Sequence, residues 1–236
     1  MKTETIEYKE GSTTCEGFAA YDDKGKRPGV MIVPEWNGVS DYSKKRAQML
    51  ADLGYNVLVA DVYGKGIRPT TMEACASEAG KYRDNRPLLR ARARAALEQL
   101  KKLPGTDAGQ TAAIGYCFGG MTVLELARDG AEVNGVVSFH GALNTPNAGD
   151  AGKIKGRVLA LHGADDPLVP PAEVAAFEDE MRKARVDWQF VAYGNAVHSF
   201  TNFSLPEGQP GPVSYNKKAD QRSWIAMQDF FKELFH

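Results

Sequence analysis

Residues 111–120 read Thr-Ala-Ala-Ile-Gly-Tyr-Cys-Phe-Gly-Gly, and this stretch decides how the rest of the chain is read. Thr111 to Ile114 is a short apolar run of the kind buried on both faces of a parallel sheet. A helical pattern begins near Met121. Between them Cys117 stands on a strand-to-helix turn, with Gly115 and Gly119 two positions away on either side. Glycine there removes the Cβ atoms that would collide where a strand and a helix meet at a sharp turn that presents a nucleophile. A cysteine that merely packs has no use for this spacing. At a helix N-terminus the unpaired amides and the positive end of the dipole favour the thiolate, which is the reactive form of the side chain.

Working outward, Val30 to Val33, Asn56 to Ala60, Val133 to Phe139, Arg157 to Leu161 and Trp188 to Val191 are further Val-, Ile- and Leu-rich runs of strand length. Tyr42 to Leu53, Pro87 to Leu103, Met121 to Arg128, Pro171 to Ala184 and Asp220 to Leu234 carry apolar residues at intervals of three or four, the spacing of helices. In the second of these, Leu89, Ala93, Ala96, Leu97 and Leu100 share one face, while Arg90, Arg94 and Lys101 are expected to point to solvent. Strand and helix alternate, so the expectation is an α/β protein with a mostly parallel central sheet and helices on both faces. Thr5 to Tyr8 and Cys15 to Tyr21, around the turn Glu10, Gly11, Ser12, add an N-terminal antiparallel hairpin. No linker divides the pattern, and residues 1–236 are expected to form one domain. Tyr63 to Asn85 and Ser199 to Asn216 read as irregular segments after strand ends, where open α/β sheets carry function.

Composition narrows the function. Lys and Arg number 29 against 30 Asp and Glu, so no net field favours nucleic acid, an anionic membrane or a polyanionic partner, and a small-molecule substrate is expected. Three cysteines, Cys15, Cys75 and Cys117, show no C-x-x-C spacing and argue against a disulfide framework. Residues 1–10 are polar, and no apolar run approaches the roughly 20 residues that span a bilayer. The reading is a cytoplasmic protein. No cluster of His, Cys and carboxylates has metal-site spacing, so neither a metal nor another cofactor is expected. Oligomeric state leaves no trace in the sequence.

A thiol nucleophile needs a base, and the base needs a group to fix its tautomer. In strand-turn-helix sites of this kind the chain order is nucleophile, acid, histidine. After Cys117, the strand ending at Leu161 leads into His162-Gly163-Ala164-Asp165-Asp166-Pro167-Leu168-Val169-Pro170, where Asp165 and Asp166 compete for the acid. The last strand leads into Gly194-Asn195-Ala196-Val197-His198, and His198 is the base by position and order. His140, His162 and the terminal His236 lack that agreement. Oxyanion donors are expected from the amide following the nucleophile, Phe118, and from a loop after an early strand, Pro34-Glu35-Trp36-Asn37-Gly38, where the Trp36 amide is nominated. Glu35 is an unusual acid so near a thiol, suited to holding the resting thiol or tuning the thiol-imidazole pair.

These segments, together with Val197-His198-Ser199-Phe200, resemble the dienelactone hydrolase family, also called carboxymethylenebutenolidases, over nearly the whole chain. The resemblance implies an α/β-hydrolase fold and a triad of Cys117, Asp166 and His198, with Glu35 as an additional active-site acid. It also selects Asp166 over Asp165, because the family acid lies four residues before the proline, here Pro170. Members that open dienelactones grip the substrate carboxylate with arginines, one of them shortly after the histidine. Here that stretch reads Ser199-Phe200-Thr201-Asn202-Phe203, so Asn202 stands where an arginine is expected, and Lys81, Arg83 and Arg86 are the nearby replacements. Tyr82, Arg83 and Asn202 are accordingly the candidate substrate contacts.

The expected activity is cleavage of a small ester or lactone through a cysteine acyl-enzyme. A thioesterase or general carboxylesterase of metabolite repair would need only a different pocket. A binding or redox-sensing protein on a hydrolase scaffold is the rival from another class, and a complete Cys, Asp and His set argues against it.

Overall fold

In the computed structural model, which describes residues 1–235, alternation becomes a layered architecture. The elements are β1 (Lys2–Glu10), β2 (Thr13–Tyr21), β3 (Arg27–Val33), α1 (Asp41–Asp52), β4 (Asn56–Val59), α2 (Met72–Arg83), α3 (Arg86–Lys101), β5 (Thr106–Tyr116), α4 (Phe118–Arg128), β6 (Gly135–Phe139), β7 (Arg157–Gly163), α5 (Pro171–Ala184), β8 (Trp188–Tyr193) and α6 (Lys217–Leu234), with a short 3₁₀ turn at Ala148–Lys153. The eight strands run in the order β1-β2-β4-β3-β5-β6-β7-β8. β1 pairs antiparallel with β2, and β2 antiparallel with β4, while every later pairing is parallel.

The two-residue period of the strands divides the core. Met31 and Val33 face one layer, built from α2, α3, α4 and α5, with Leu89, Leu97, Met121, Leu124, Phe177 and Met181 at its centre. Val30 and Ile32 face the other, where α1 and α6 contribute Leu50, Met227, Phe230 and Phe231. Every residue of α4 is buried, Glu125 and Arg128 included. Arg128 meets Glu180 at 2.7 Å and Glu125 at 3.1 Å, and donates to Leu143 O, so its charge is paired rather than stranded. Among the described residues no helix is long and apolar enough to cross a membrane.

Helix starts follow local chemistry. Ser40 and Ser43 form a reciprocal cap on α1, and Thr71, Asn85 and Asn216 accept the orphan amides of α2, α3 and α6. Four expectations need correction. Residues 72–83, expected to be irregular chain, are helix α2; its buried stripe is only Cys75, Ala79 and Tyr82, so small residues carry a weak apolar period. β5 starts at Thr106 and α6 at Lys217, earlier than the apolar runs, because polar first turns and strand ends are set by hydrogen bonding. Arg90 does not point freely to solvent: it is pinned between Glu125 and Asp150, both at 2.8 Å.

Candidate active site

The site sits at the carboxyl ends of the parallel strands, where chain leaving β5, β7 and β8 converges. Cys117 is the cap residue of α4 and has φ 55° and ψ −114°, a left-handed backbone that L-residues adopt only when their surroundings compel it. The surroundings are visible at the flanking glycines. A Cβ on Gly115 would strike the Gly119 carbonyl, and one on Gly119 would lie 2.6 Å from Val33 C and 2.7 Å from Pro34 O. A Cβ on Gly120 would lie 2.7 Å from Ser138 Oγ. The elbow is thus wedged against the end of β3 and the loop after β6, and the thiol is left half-exposed above them.

His198 lies in the loop after β8, and its Nδ1 is 2.7 Å from Asp166 Oδ2. Asp166 has a fully buried side chain and also accepts the Leu168 N–H at 2.8 Å. Asp165, one residue earlier, is exposed and engages the site only through its backbone N–H to Ala196 O. The geometry therefore brings Asp166, not Asp165, to the imidazole. Burial alone would lower the pKa of His198, but the neighbouring Cys117 charge, hydrogen bonds to Asp166 and Cys117, and the Asp166 charge together raise it to about 10. With Nδ1 committed to Asp166, Nε2 is the nitrogen free for the thiol.

The His198 backbone is itself fastened. Its N–H donates to Pro212 O at 3.2 Å, and its carbonyl accepts from Ser214 N at 3.1 Å. The returning segment thus grips the base on both sides.

Glu35 is buried in the loop after β3. Its carboxylate accepts from Ser199 Oγ at 3.2 Å and from Asn202 Nδ2 at 2.7 Å. Burial raises its pKa, opposed by His198, these two hydrogen bonds and Arg46. One N–H of the Asn202 amide is thus engaged by Glu35. Trp36 is half-buried, and its carbonyl takes the Tyr63 hydroxyl at 2.8 Å. Phe118 opens α4, so its N–H has no partner inside the helix. Tyr82 is buried and donates to Tyr63 O, and the Tyr63 ring leans on both Tyr82 and Phe118, at 5.3 and 5.7 Å between centroids. Tyr82 therefore supports the wall of the site through Tyr63.

Arg83 is exposed and lines an open pocket of about 500 Å³ with Asp84, Arg86, Asn144, Thr145 and Pro146. Arg86 is buried and donates to Asn144 Oδ1 at 3.2 Å. Lys81 is exposed and paired with Glu78. Among the described residues no group of three or more His, Cys, Asp or Glu side chains is arranged to hold a metal ion.

Sequence reasoning passes over His140 and Thr201. His140 follows β6 directly and is buried beside the elbow, with its Nδ1 3.1 Å from Cys117 N and its Nε2 2.8 Å from Thr201 Oγ1. The signal that could find it is register. Tyr116 pairs with Phe139 across β5 and β6, so the next residue of each strand must be a neighbour.

The dienelactone hydrolase family profile matches residues 15–235. Two solved structures are 43% identical to this chain, each covering 100% of it with 99% of their own length aligned: one known as m3DLH, with a TM-score of 0.95, and a dienelactone hydrolase-like promiscuous phosphotriesterase from metagenomic libraries, at 0.94. A putative carboxymethylenebutenolidase of Methylorubrum extorquens is 28% identical over 89% of this chain and 73% of its own.

Proposed function

Because the chain belongs to the dienelactone hydrolase family and is a hydrolase of carboxylic esters, we propose that Cys117, His198 and Asp166 form its catalytic triad and that it cleaves a small neutral ester or lactone. The observation that carries this reading is the 2.7 Å bond from His198 Nδ1 to buried Asp166, which leaves Nε2 facing the half-exposed thiol of the strained elbow.

With its pKa raised to about 10, His198 already holds the proton of the thiol, and Cys117 Sγ attacks the carbonyl carbon as the thiolate. The amides of Phe118 and Trp36 meet the charge that gathers on the oxygen. Asp166 accepts from Nδ1 and steadies the imidazolium, which then returns its Nε2 proton to the departing alcohol. A thioester remains, and water activated by His198 cleaves it to free acid and thiol. Glu35, held by two neutral donors, is a buried carboxylate beside this pair and tunes its charge. Asn202, by occupying Glu35 with an amide, leaves no cation after the histidine, which favours substrates without a carboxylate at that end. The single domain and a cytoplasmic setting belong to the same proposal.

Replacing Cys117 with Ala should abolish turnover of 4-nitrophenyl acetate while the chain stays folded. Wild-type protein quenched during turnover should carry the acyl mass on the Cys117 peptide. Turnover by the Ala variant would overturn the assignment.

One observation favours a second substrate class. Arg46, Arg92 and Arg128 are buried and each meets a carboxylate, whereas buried Arg86 lines its pocket beside Arg83 with no acidic partner within salt-bridge distance among the described residues. An ester whose far end carries a carboxylate would fit there. A panel pairing neutral esters with their carboxylate-bearing counterparts, an aryl phosphotriester included because of the 43% identical neighbour, separates the readings. Arg86→Met should raise KM only for the anionic members.

A further inference from the structure

The hydrogen bonds of His140 have fixed directions. A backbone N–H can only donate, so His140 Nδ1, 3.1 Å from Cys117 N, must present its lone pair. Burial drives the pKa of this imidazole well below its ordinary value, with His198 and Arg46 acting the same way, so the ring is neutral. A neutral ring with Nδ1 unprotonated carries its hydrogen on Nε2, and Nε2 therefore donates to Thr201 Oγ1 at 2.8 Å. Thr201 stands three residues beyond His198 in the same turn of chain, and its carbonyl is fixed by Arg46 Nη2 at 2.7 Å. The His140 ring also meets the His198 ring edge-on, with centroids 5.3 Å apart.

The two bonds satisfy the buried ring of His140, but the groups they reach have other partners. The Cys117 N–H also reaches Phe139 O at 3.0 Å, and Thr201 Oγ1 has a second partner in Tyr42 Oη at 2.7 Å. His140 nevertheless holds a left-handed backbone, φ 40°, with 1% of its surface exposed. A buried polar ring kept on a strained backbone, joined to groups that already have other partners, is one whose placement links the two segments it touches.

We propose that His140 is a positioning residue for the hydrolysis. Its neutral imidazole ties the backbone of the nucleophile to the loop of the base and so sets the separation of Cys117 and His198. The inference rests on the triad reading above. Without the ring, the backbone of the nucleophile and the loop after β8 lose this hydrogen-bonded link, and the thiol and Nε2 lose a common reference. Asn at 140 should substitute in part, since Asn tolerates a left-handed backbone and its carbonyl oxygen can accept where Nδ1 does.

The test measures kcat and KM for 4-nitrophenyl acetate, and the rate of iodoacetamide labelling of Cys117, in wild type, His140→Phe, His140→Asn, Thr201→Val and the His140→Phe/Thr201→Val double variant. A small displacement of a nucleophile costs up to about a hundredfold, so His140→Phe should lower kcat by about 10- to 100-fold with KM nearly unchanged, and labelling should slow in parallel. His140→Asn should recover most of that loss. Thr201→Val should cost about fivefold, the value of one hydrogen bond, and should cost nothing further in the His140→Phe background. Wild-type kcat in His140→Phe, an equal loss in His140→Asn, or effects of His140→Phe and Thr201→Val that multiply in the double variant would overturn the proposal. If His140→Phe does not fold, Thr201→Val decides alone, and an unchanged kcat overturns it. Cys117→Ala run alongside separates the two readings: turnover there removes the triad itself, whereas an inactive Cys117→Ala beside a fully active His140→Phe removes only the role of His140.

Discussion

Gly119→Ala tests how the elbow is held. The added Cβ would lie 2.6 Å from Val33 C and 2.7 Å from Pro34 O, and closer still to Val33 O. Ordinary carbon contacts are no nearer than about 3.5 Å, so the first turn of α4 and the end of β3 must separate by close to an ångström. Neither side is a flexible side-chain tip. Both are backbone, and they carry the two amides assigned to the oxyanion, Phe118 one residue before Gly119 and Trp36 two residues after Pro34. Overpacking of a tight interior costs about 1–3 kcal/mol, which for a chain of this size lowers the melting temperature by roughly 2–12 °C. Displacing the donors by that distance adds a loss of about a hundredfold in kcat. Gly152→Ala is the control, because a Cβ there meets nothing within 4 Å and the backbone is not left-handed. Thermal melts and 4-nitrophenyl acetate kinetics on both variants decide the matter. A Gly119→Ala protein with wild-type kcat would refute the claim that close backbone approach fixes the oxyanion donors.

Asp166→Asn should lower kcat by about 10⁴, as expected where the group fixing the imidazole tautomer is lost, while exposed Asp165→Asn should stay within about twofold of wild type. His198 has a folded pKa raised to about 10 from an ordinary 6.5, so its contribution to stability is complete below about pH 6.5 and fades as pH rises through about 10. Melting curves across that window should show the decline in wild type and a flatter profile in Asp166→Asn, and an identical slope would remove Asp166 as a cause of the shift. Glu35 is raised by burial, so its neutral form is favoured by folding and stability is lost as pH rises through its folded pKa. Glu35→Gln should therefore gain on wild type in melting temperature from pH 4 to pH 8, and a constant difference would contradict a buried, titrating carboxylate. Arg128→Ala leaves Glu180 buried without its partner and Glu125 with Arg90 alone, and should cost about 3–5 kcal/mol in urea unfolding, against less than about 1 for the exposed pair broken by Lys232→Ala.

What is legible in the sequence is what short stretches of chain determine. The alternation of buried strands and amphipathic helices yields the parallel sheet, since periods of two and of three to four are local consequences of backbone geometry. The glycines around Cys117 mark the elbow, because the space they vacate lies at the turn itself. Residue order points to His198 and the family's spacing to Pro170 points to Asp166, and in the structure these two side chains lie 2.7 Å apart. Helix α2 escapes a reading by periodicity because Cys75, Ala79 and Tyr82 make too faint a stripe. The bond from Asn202 to Glu35, 167 residues earlier, could not be read from its position. His140 looks like the end of a strand, yet its neighbours are Cys117 and Thr201, brought beside it by the pairing of β5 with β6 and by the loop that follows β8. Contacts of that kind depend on strand register and loop return, which are fixed by packing of the whole sheet and leave no period in the residues themselves. The sequence by itself determined which groups are on offer, a thiol, a carboxylate and an imidazole in that order; only the tertiary structure decided which buried neighbours hold those groups in place.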